Sequence, residues 1–453
     1  MKLTDIYSAK AVGMYWNTRN EDTNIAPYFG STLFPAAKKN GLDLKFIKGK
    51  SGLPITLKPS AFDAIPDIRD RIGVKAIQTE MPFFREGFTL NETDRQEINR
   101  AKDAADPYIQ PVLDNIYRDV DNLINGANVV PERMIMQLLS PADGSPKINI
   151  SADGVVYDYD YDTDGSFKKN QFKKLTGTAV WTDYTNSDPI SDIEDAQDYI
   201  ERQTGVKPTI LLLTKKTLKD IAANEKIKSY ILAKAAVSGG AVRMTTGLVK
   251  QYLAEELGIT CVVNEKKFID ETGTAKSFYP DNMVTLLPAQ TLGNTWYGTT
   301  PEESDLMSAA NADVAIVNTG VAVTVITPPE IPVKTKTYAS EIVLPSFEGM
   351  DMVFVISTSS DDGKLTVTTA EGTVSGKTAV TVTPALTSGN SYKYKTGASV
   401  TTPAIGDVCS SGYTNWDGSA EITATTGNTI VIVEVDAGNK AVKVGSATVA
   451  AKE

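Results

Sequence analysis

The first 40 residues show no regular alternation of apolar and polar positions. Polar and aromatic side chains are mixed along this segment, and "FGSTLFPAAK" offers one turn and a short apolar anchor. We expect an irregular arm with little core of its own, which lies across something else.

An alternating pattern begins in "LDLKFIKG", where apolar and polar residues follow each other as they do in a half-buried strand. The basic turn "KGKSGLP" comes next, and prolines on the return path at 54, 59, 66 and 82 exclude a long helix. This pattern predicts a long two-stranded ribbon. Because a two-stranded ribbon is marginally stable alone in water, we expect it to pack against a neighbouring chain.

A helical period follows beyond Thr89. Thr93 and Gln96 fit a capping box, and the prolines at 107 and 111 predict a kink before a helix from about Tyr108 to Ile124. Asn125-Gly126 predicts the end of this helix, and a second helix is predicted from Pro131 in "VPERMIMQLLS". The apolar positions with helical spacing are Ile109, Leu113, Ile116, Val120, Leu123 and Ile124.

Helical and strand patterns alternate between residues 180 and 330. "PISDIEDAQDYIERQTG" is typical of an amphipathic helix that ends at a glycine, and "KPTILLLTKKTLKDIAANEKIKSYILA" of a buried strand and a capped helix. "GLVKQYLAEELGITCVVNE" repeats helix, glycine and strand, while "DNMVTLLPAQ" and "VAIVNTGVAVTVITPPE" supply more strands. The alternation predicts a mixed sheet covered by helices.

The composition changes after Ser357. "STSSDDG" has the composition of a linker, and the residues beyond it are rich in Thr, Val, Gly and Ser. Alternating segments such as "KTAVTVTPAL" and "NTIVIVEVD" predict a separate all-β domain, a small sandwich.

Composition narrows the class of function. The net charge of −11 does not suit a broad surface that grips nucleic-acid phosphates. The chain has no histidine, which removes the commonest general base and metal ligand and argues against an enzyme. No apolar run approaches the roughly 18 residues that span a membrane, and the N-terminal sequence lacks the apolar region of a signal peptide. We therefore expect a soluble protein made in a cytoplasm, with Cys261 and Cys409 both reduced.

Candidate chemistry is sparse. "DYDYDTDG" resembles part of a calcium loop, but neither possible register places a glutamate at the twelfth position, so we predict an acidic β-hairpin. No glycine-rich loop has the spacing of a phosphate-binding loop. Glu302, Glu303 and Asp305 follow Pro301 closely on one loop, whereas catalytic carboxylates approach a substrate from opposite sides. Acids in the first turn after a proline explain them as well, so we predict no catalytic, cofactor or metal residue.

The remaining candidates suit contacts between subunits. Trp296 and Tyr297 lie between two glycines in "GNTWYGTTPEESDLM" and form a paired anchor for an interface or a core. We expect the ribbon lysines to face acids on a neighbouring subunit rather than DNA. The predicted contact residues are Lys45, Lys48, Lys50, Lys58, Trp296, Tyr297, Glu302, Glu303 and Asp305.

The stretches "LLPAQTLGNTWYGTTPEESDLM" and "VLPSFEGMDMVFV" make the chain resemble the lambda-type major capsid proteins of tailed phages, major capsid protein E, over roughly residues 1 to 357. The resemblance implies an α+β fold of the HK97 type, and the appended all-β domain departs from the family pattern and resembles an Ig-like decoration. The implied divisions are an N-terminal arm at 1–40, an E-loop at 41–88, a peripheral domain with a spine helix at 89–184, an axial domain with a mixed sheet at 185–325, return strands at 326–357 and the β-domain at 358–453.

The same resemblance implies a function. Copies of the chain would assemble into hexamers and pentamers of an icosahedral shell around double-stranded DNA, in the virion, after assembly in a host bacterial cytoplasm. Its partners would be itself, scaffolding, portal and decoration proteins, with DNA held only by weak non-specific proximity, no cofactor and no membrane. The stretch "GNTWYGTTPEESDLM" would be an axial-domain loop that shapes contacts within a capsomer, and the β-domain would serve adhesion or shell stabilisation. Two other classes remain open: a carbohydrate-active enzyme that uses Glu302, Glu303 or Asp305, and a glycan-binding adhesin.

Overall fold

The chain divides into two compact units, residues 1–358 and 359–453. A computed structural model describes most residues of both units. The described residues are 8–22, 28–48, 75–90, 92–93, 96, 109–152, 154–234, 244–306, 312–328, 334–359, 363–383, 385–387 and 390–452.

The helices of the first unit range from one turn to eight turns. They are α1 Ala9–Asp22, α2 Phe29–Leu33, α3 Ile109–Leu139, α4 Ser166–Asn170, α5 Pro189–Thr204, α6 Lys215–Ala223, α7 Glu225–Lys234 and α8 Thr246–Glu256, with short helical turns at Gly177–Ala179, Glu302–Leu306 and Met350–Met352.

The strands of the first unit are β1 Ala36–Lys38, β2 Asp43–Lys48, β3 Lys75–Glu80, β4 Phe83–Leu90, β5 Lys147–Ala152, β6 Val155–Asp160, β7 Phe172–Lys174, β8 Ile210–Leu213, β9 Thr260–Val263, β10 Lys267–Ile269, β11 Ala275–Ser277, β12 Met283–Leu287, β13 Thr295–Tyr297, β14 Ala312–Val317, β15 Val321–Ile326, β16 Thr335–Pro345 and β17 Phe354–Ser357. Those of the second unit are β18 Thr366–Glu371, β19 Lys377–Thr383, β20 Ser391–Gly397, β21 Thr414–Trp416, β22 Ile422–Thr423, β23 Thr429–Val435 and β24 Ala441–Thr448.

One six-stranded sheet is built around the long strand β16. Its order is β1-β13-β16-β15-β14, and β4 also pairs with β16, antiparallel from Phe83 to Leu90. The helix α3 lies against β16, and the apolar cluster between α1, α3, β14 and β15 is closed by Val120, Ile124 and Val323. This sheet brings the N-terminal segment, the end of the ribbon and the stretch after residue 293 together.

A second, five-stranded sheet has the order β7-β17-β12-β8-β9. The outer pairs β7–β17 and β8–β9 are parallel, while β12 runs antiparallel to both of its neighbours. Helices α5 to α8 pack their apolar side chains against it. The predicted mixed sheet covered by helices is therefore present, although it takes β7 and β17 from outside residues 185–325, and β14 and β15 belong to the six-stranded sheet instead.

The predicted break between two helices at residues 125–131 is wrong. A single helix, α3, continues through Gly126 and Pro131 to Leu139. The side chains of Met134, Ile135 and Leu138 beyond the proline are fully buried, so packing holds the second half in line with the first. The proposed capping box and the predicted kink at 107 and 111 fall largely outside the described residues.

The N-terminal 40 residues are also more regular than predicted. The helix α1 buries Ala9, Val12 and Trp16, which recur at steps of three and four, against the six-stranded sheet and α3. The backbone N–H of Ala9 donates to Asp313 Oδ2 (2.6 Å). This segment therefore lies across its own subunit, as an arm with a helical core contribution.

The β-hairpin predicted in "INISADGVVYDYDYDTDG" is confirmed by the antiparallel pair β5–β6. The aspartates that follow it bind backbone groups: Asp162 accepts the N–H groups of Phe167 and Lys168 (both 2.9 Å) in the first turn of α4. No group of three His, Cys, Asp or Glu side chains that could hold a metal ion occurs among the described residues.

The second unit, residues 359–453, contains only strands among its described regular elements. A three-stranded sheet, β18-β19-β22, and a four-stranded sheet, β21-β20-β23-β24, are antiparallel throughout. Side chains from both sheets share one core, in which Val367 meets Ile430 and Ile432. Both cysteines of the chain are free, as predicted.

No helix in the described part of the chain has the length and apolar character that a membrane crossing requires.

Candidate subunit-contact surface

A groove with a volume of about 620 Å³ lies at the root of the ribbon β2–β3. We call it the root groove. Its walls come from the end of the ribbon and the start of β4, from the tyrosines of β6, and from the segment after β13. The lining residues are Leu42, Glu80, Met81, Pro82, Phe83, Tyr157, Tyr159, Thr299, Pro301, Ser304 and Ile342.

Tyrosines of β6 fix the root of the ribbon. The hydroxyl of Tyr159 donates to the carbonyl of Glu80 (2.9 Å), and that of Tyr157 donates to the carbonyl of Phe83 (3.1 Å). Burial raises the pKa of Tyr159 to about 12, so its phenol keeps its proton and remains a donor. The next tyrosine, Tyr161, packs its ring 5.5 Å from that of Phe46 on β2.

The ribbon root is therefore sheltered by its own subunit. Leu44, Phe46 and Met81 are each no more than 5% exposed and join the main apolar core. We expected the ribbon to pack against a neighbouring chain, whereas the apolar side chains at its root pack within their own subunit. β2 and β3 pair only with each other among the described residues, in a two-stranded sheet of the predicted type.

The acidic turn Glu302–Leu306 ties three strands together. Glu302 is only 4% exposed; its Oε1 pairs with Arg85 of β4, and its Oε2 accepts the hydroxyl of Ser340 of β16 (2.9 Å). Glu303 pairs with Lys38 of β1 (2.5 Å). Each of these two acids thus forms an ion pair within the subunit, and this accounts for both acids by a structural role. Asp305 lies in the same turn, and its side chain is outside the described part.

The stretch "GNTWYG" is a strand and not the predicted loop. Residues 295–297 pair with β1 in parallel and with β16 antiparallel. The indole N–H of Trp296 donates to Ser346 Oγ (3.1 Å), and Tyr297 is 8% exposed. A Cβ at Gly293 would lie 1.9 Å from the carbonyl oxygen of Ser346, so the close approach of these strands requires glycine there.

The predicted contact lysines are distributed along the ribbon. Lys45 lies on β2 with its side chain exposed, and Lys48 ends the same strand. Lys50 and Lys58 lie outside the described residues. Among the predicted contact residues, the structure thus brings Trp296, Tyr297, Glu302 and Glu303 together around β13 and β16. It leaves Lys45 on the surface.

Two buried carboxylates near these elements were missed by the sequence reasoning. Glu341 on β16 is 1% exposed, and neither of its oxygens has a hydrogen-bond partner among the described residues. Burial raises its pKa well above the usual range, and burial is also the main cause of the raised pKa of Tyr297. Glu132 on α3 is 2% exposed. A signal was present for Glu341, which lies next to an apolar run in "ASEIVLP", whereas Glu132 is followed directly by Arg133 in "VPERMIMQLL" and has no comparable signal.

Comparisons with known proteins address both units. Residues 8–316 match the model of the phage major capsid protein E family, and residues 370–452 match that of the S-layer protein SbsC C-terminal domain. No significant match was found among curated proteins.

Similar solved structures include capsid proteins at low sequence identity. The putative capsid protein of a prophage of Escherichia coli CFT073 is 15% identical, with coverage of 78% of this chain and 99% of that one, at a TM-score of 0.49. A phage-related protein from Bordetella bronchiseptica RB50 is 15% identical over 76% and 96% of the two chains (TM-score 0.45), and the capsid protein of cyanophage A-1(L) is 12% identical over 74% and 94% (TM-score 0.41).

The family match extends from α1 to β14, which is more than half of the chain. It lies within the first unit, the part of the chain that resembles this family in its sequence. The chain therefore belongs to the phage major capsid protein E family, and its function is to form the shell of a phage capsid.

Proposed function

We propose that the ribbon β2–β3 and the root groove carry contacts between neighbouring subunits of the shell. The observation that carries this proposal is the two-stranded ribbon itself, which is anchored at its root by Phe46 and the β6 tyrosines. A ribbon of two strands is marginal unless a further surface covers it. Shell subunits bury large areas against copies of themselves, and a neighbouring subunit supplies such a surface.

Charge favours the same arrangement. Lys45 projects from the ribbon of a chain whose net charge is −11, so the average surface of a neighbouring copy attracts it. An exposed ion pair contributes about 0.2–1 kcal/mol. Every subunit of a shell makes the same contact. The small free energy of one ion pair therefore adds up over the whole assembly.

The charge reversal Lys45→Glu tests this proposal. We expect the concentration of subunits needed for assembly to rise up to about fivefold, which corresponds to about 1 kcal/mol per subunit. Light scattering and negative-stain microscopy at a series of concentrations measure it. Lys267→Glu is the matched control, because Lys267 is an exposed lysine on the separate hairpin β10–β11. If both variants assemble as the wild type does, the ribbon surface is not an interface of this kind.

We further propose that the shell is icosahedral, with hexamers and pentamers around double-stranded DNA, and that scaffolding and portal proteins take part in assembly in the host cytoplasm. Family membership supports this organisation, and the acidic chain is suited to enclosing DNA with only weak non-specific contact. The engaged carboxylates Glu302 and Glu303 support a structural rather than a catalytic protein. A cryo-electron reconstruction of assembled particles that showed open tubes or single rings would contradict it.

A second proposal concerns residues 359–453. We propose that this unit is an Ig-like domain displayed on the outer surface of the shell, where it serves adhesion or shell stabilisation. The specific support is the similarity of residues 370–452 to the C-terminal domain of an S-layer protein, together with two antiparallel sheets that share one core. Antibodies against residues 359–453 should label intact particles, and particles of a variant ending at Ser359 should remain unlabelled. Labelling that needs disrupted particles would rule out an outer position.

A further inference from the structure

Two buried charged side chains and a partly buried asparagine meet at one end of the four-stranded sheet of the second unit. Glu434 of β23 is fully buried, and Lys443 of β24 is 3% exposed. The carboxylate of Glu434 accepts the side-chain N–H of Asn390 at Oε1 (2.5 Å) and lies 3.1 Å from Lys443 Nζ at Oε2. Lys443 Nζ also donates to Thr387 Oγ1 (2.7 Å). We call Asn390, Glu434 and Lys443 the polar triad.

Glu434 of the triad borders the apolar core between the two sheets. Glu434 lies opposite Tyr392 on β20 and opposite Lys443 on β24, at the end of the strand whose residues Ile430 and Ile432 form the core between the sheets. The desolvation of a buried ion pair commonly costs as much as its attraction returns, so apolar residues would serve a core at least as well. Amide exchange, in contrast, needs a lysine amine and an asparagine amide beside a carboxylate. The two oxygens of the buried Glu434 hold one of each.

We propose that the polar triad forms an intramolecular isopeptide bond between Lys443 and Asn390, with Glu434 as its catalytic acid and base. Glu434 takes one proton from the Lys443 ammonium, and the neutral Nζ then attacks Asn390 Cγ. Nζ passes a second proton through the Glu434 carboxyl group to Asn390 Nδ2, and the Cγ–Nδ2 bond breaks as ammonia leaves. Nζ keeps its last proton as the new amide N–H, and the proton first taken stays on Glu434 until it exchanges with solvent, so atoms and charges balance without an oxidant or cofactor.

The buried site favours each step. Exclusion of water strengthens the interaction of the carboxylate with the charges that develop during attack. One carboxylate holds both reacting groups, Asn390 by a hydrogen bond and Lys443 by an ion pair, so the reaction is intramolecular and needs no encounter between separate molecules. The product would join the segment before β20 to β24 across β23, and a covalent link of this kind restricts the unfolded chain as a disulfide does. The inference rests on the second unit alone and does not depend on the proposed subunit contacts.

Intact-mass spectrometry of the full-length chain tests the bond. The wild-type protein should be lighter than its sequence by one molecule of ammonia. Trypsin should fail to cleave after Lys443 and should release a branched peptide that contains both Asn390 and Lys443. Wild-type protein of full mass that is cleaved normally after Lys443 would overturn the proposal, whatever the variants do.

Variants then assign the roles. Asn390→Ala, Lys443→Arg and Glu434→Gln should each have the full mass of their sequences, and each should lower the Tm of the second unit. Glu421→Gln is the matched control, because Glu421 accepts hydrogen bonds from Thr373 at an exposed site of the same unit, and this variant should still lose ammonia. Lys443→Arg keeps the charge, so it separates loss of the bond from loss of the ion pair. Loss of ammonia in the Lys443→Arg variant would contradict the assignment of the nucleophile.

Discussion

Glu132 holds the N-terminal segment to the long helix α3 through one hydrogen bond. Its Oε2 accepts the backbone N–H of Gly30 (2.9 Å), and its Oε1 has no hydrogen-bond partner in the described part of the chain. A Cβ at residue 30 would lie 2.3 Å from Oε2, so this contact requires glycine. Burial raises the pKa of Glu132 to about 7, although the N–H of Gly30 and the charge of Lys266 oppose the shift.

The raised pKa makes stability depend on pH in a defined direction. The folded state binds the Glu132 proton more tightly than the unfolded state, so its stabilising contribution is complete below the usual glutamate pKa. That contribution is lost as the pH rises towards about 7. Since one pKa unit corresponds to 1.36 kcal/mol, the loss is up to about 3 kcal/mol.

The variant Glu132→Gln removes this titration and keeps an acceptor for Gly30. We expect the difference in unfolding free energy between variant and wild type to move in favour of the variant by up to about 3 kcal/mol between pH 4.5 and pH 8. Urea unfolding of unassembled subunits measures it. Glu201→Gln, at an exposed position of α5, serves as the control. A difference that stays constant with pH would show that the pKa of Glu132 is the same in the folded and unfolded states.

Local sequence patterns predicted an element correctly where the cap, glycine and proline signals agree with the way the element packs. The helix α5 ends at Gly205 in the left-handed conformation, as predicted, and the structure adds Asp188 as the cap at its start. In α3 the local signals failed. Gly126 and Pro131 disfavour a helix by about 1 and 3 kcal/mol. Each fully buried apolar side chain beyond them contributes about 1.5–3 kcal/mol, and several such side chains outweigh the local cost.

Pairings between distant segments were beyond the reach of the sequence. The parallel pair β1–β13 joins Ala36–Lys38 to Thr295–Tyr297, and neither short segment has a strand signal of its own. The same holds for the ion pair between Arg85 and Glu302, because the sequence does not show that the two strands meet. The aromatic pair and the acidic turn were therefore recognised as unusual, whereas their roles within the subunit became evident only from the sheet that contains them.

For the whole molecule, the described apolar clusters separate without exception at the boundary near residue 358. Three clusters consist of residues before it, and the remaining two consist of residues after Gly363. Cooperative unfolding follows the burial of a shared core, so two units whose described apolar clusters are separate should unfold as separate transitions.

A variant that ends at Ser359 should therefore retain the unfolding transition of the first unit within about 0.5 kcal/mol and lose the other transition. The physical reason is that the deletion removes no side chain from the three clusters of the first unit. Differential scanning calorimetry of unassembled subunits measures both transitions, and the full-length chain is the reference. In the full-length Lys443→Arg variant, whose first unit is unaltered, only the transition of the second unit should move. A single transition in the full-length protein, or a truncated chain that no longer unfolds cooperatively, would show that the two units stabilise each other.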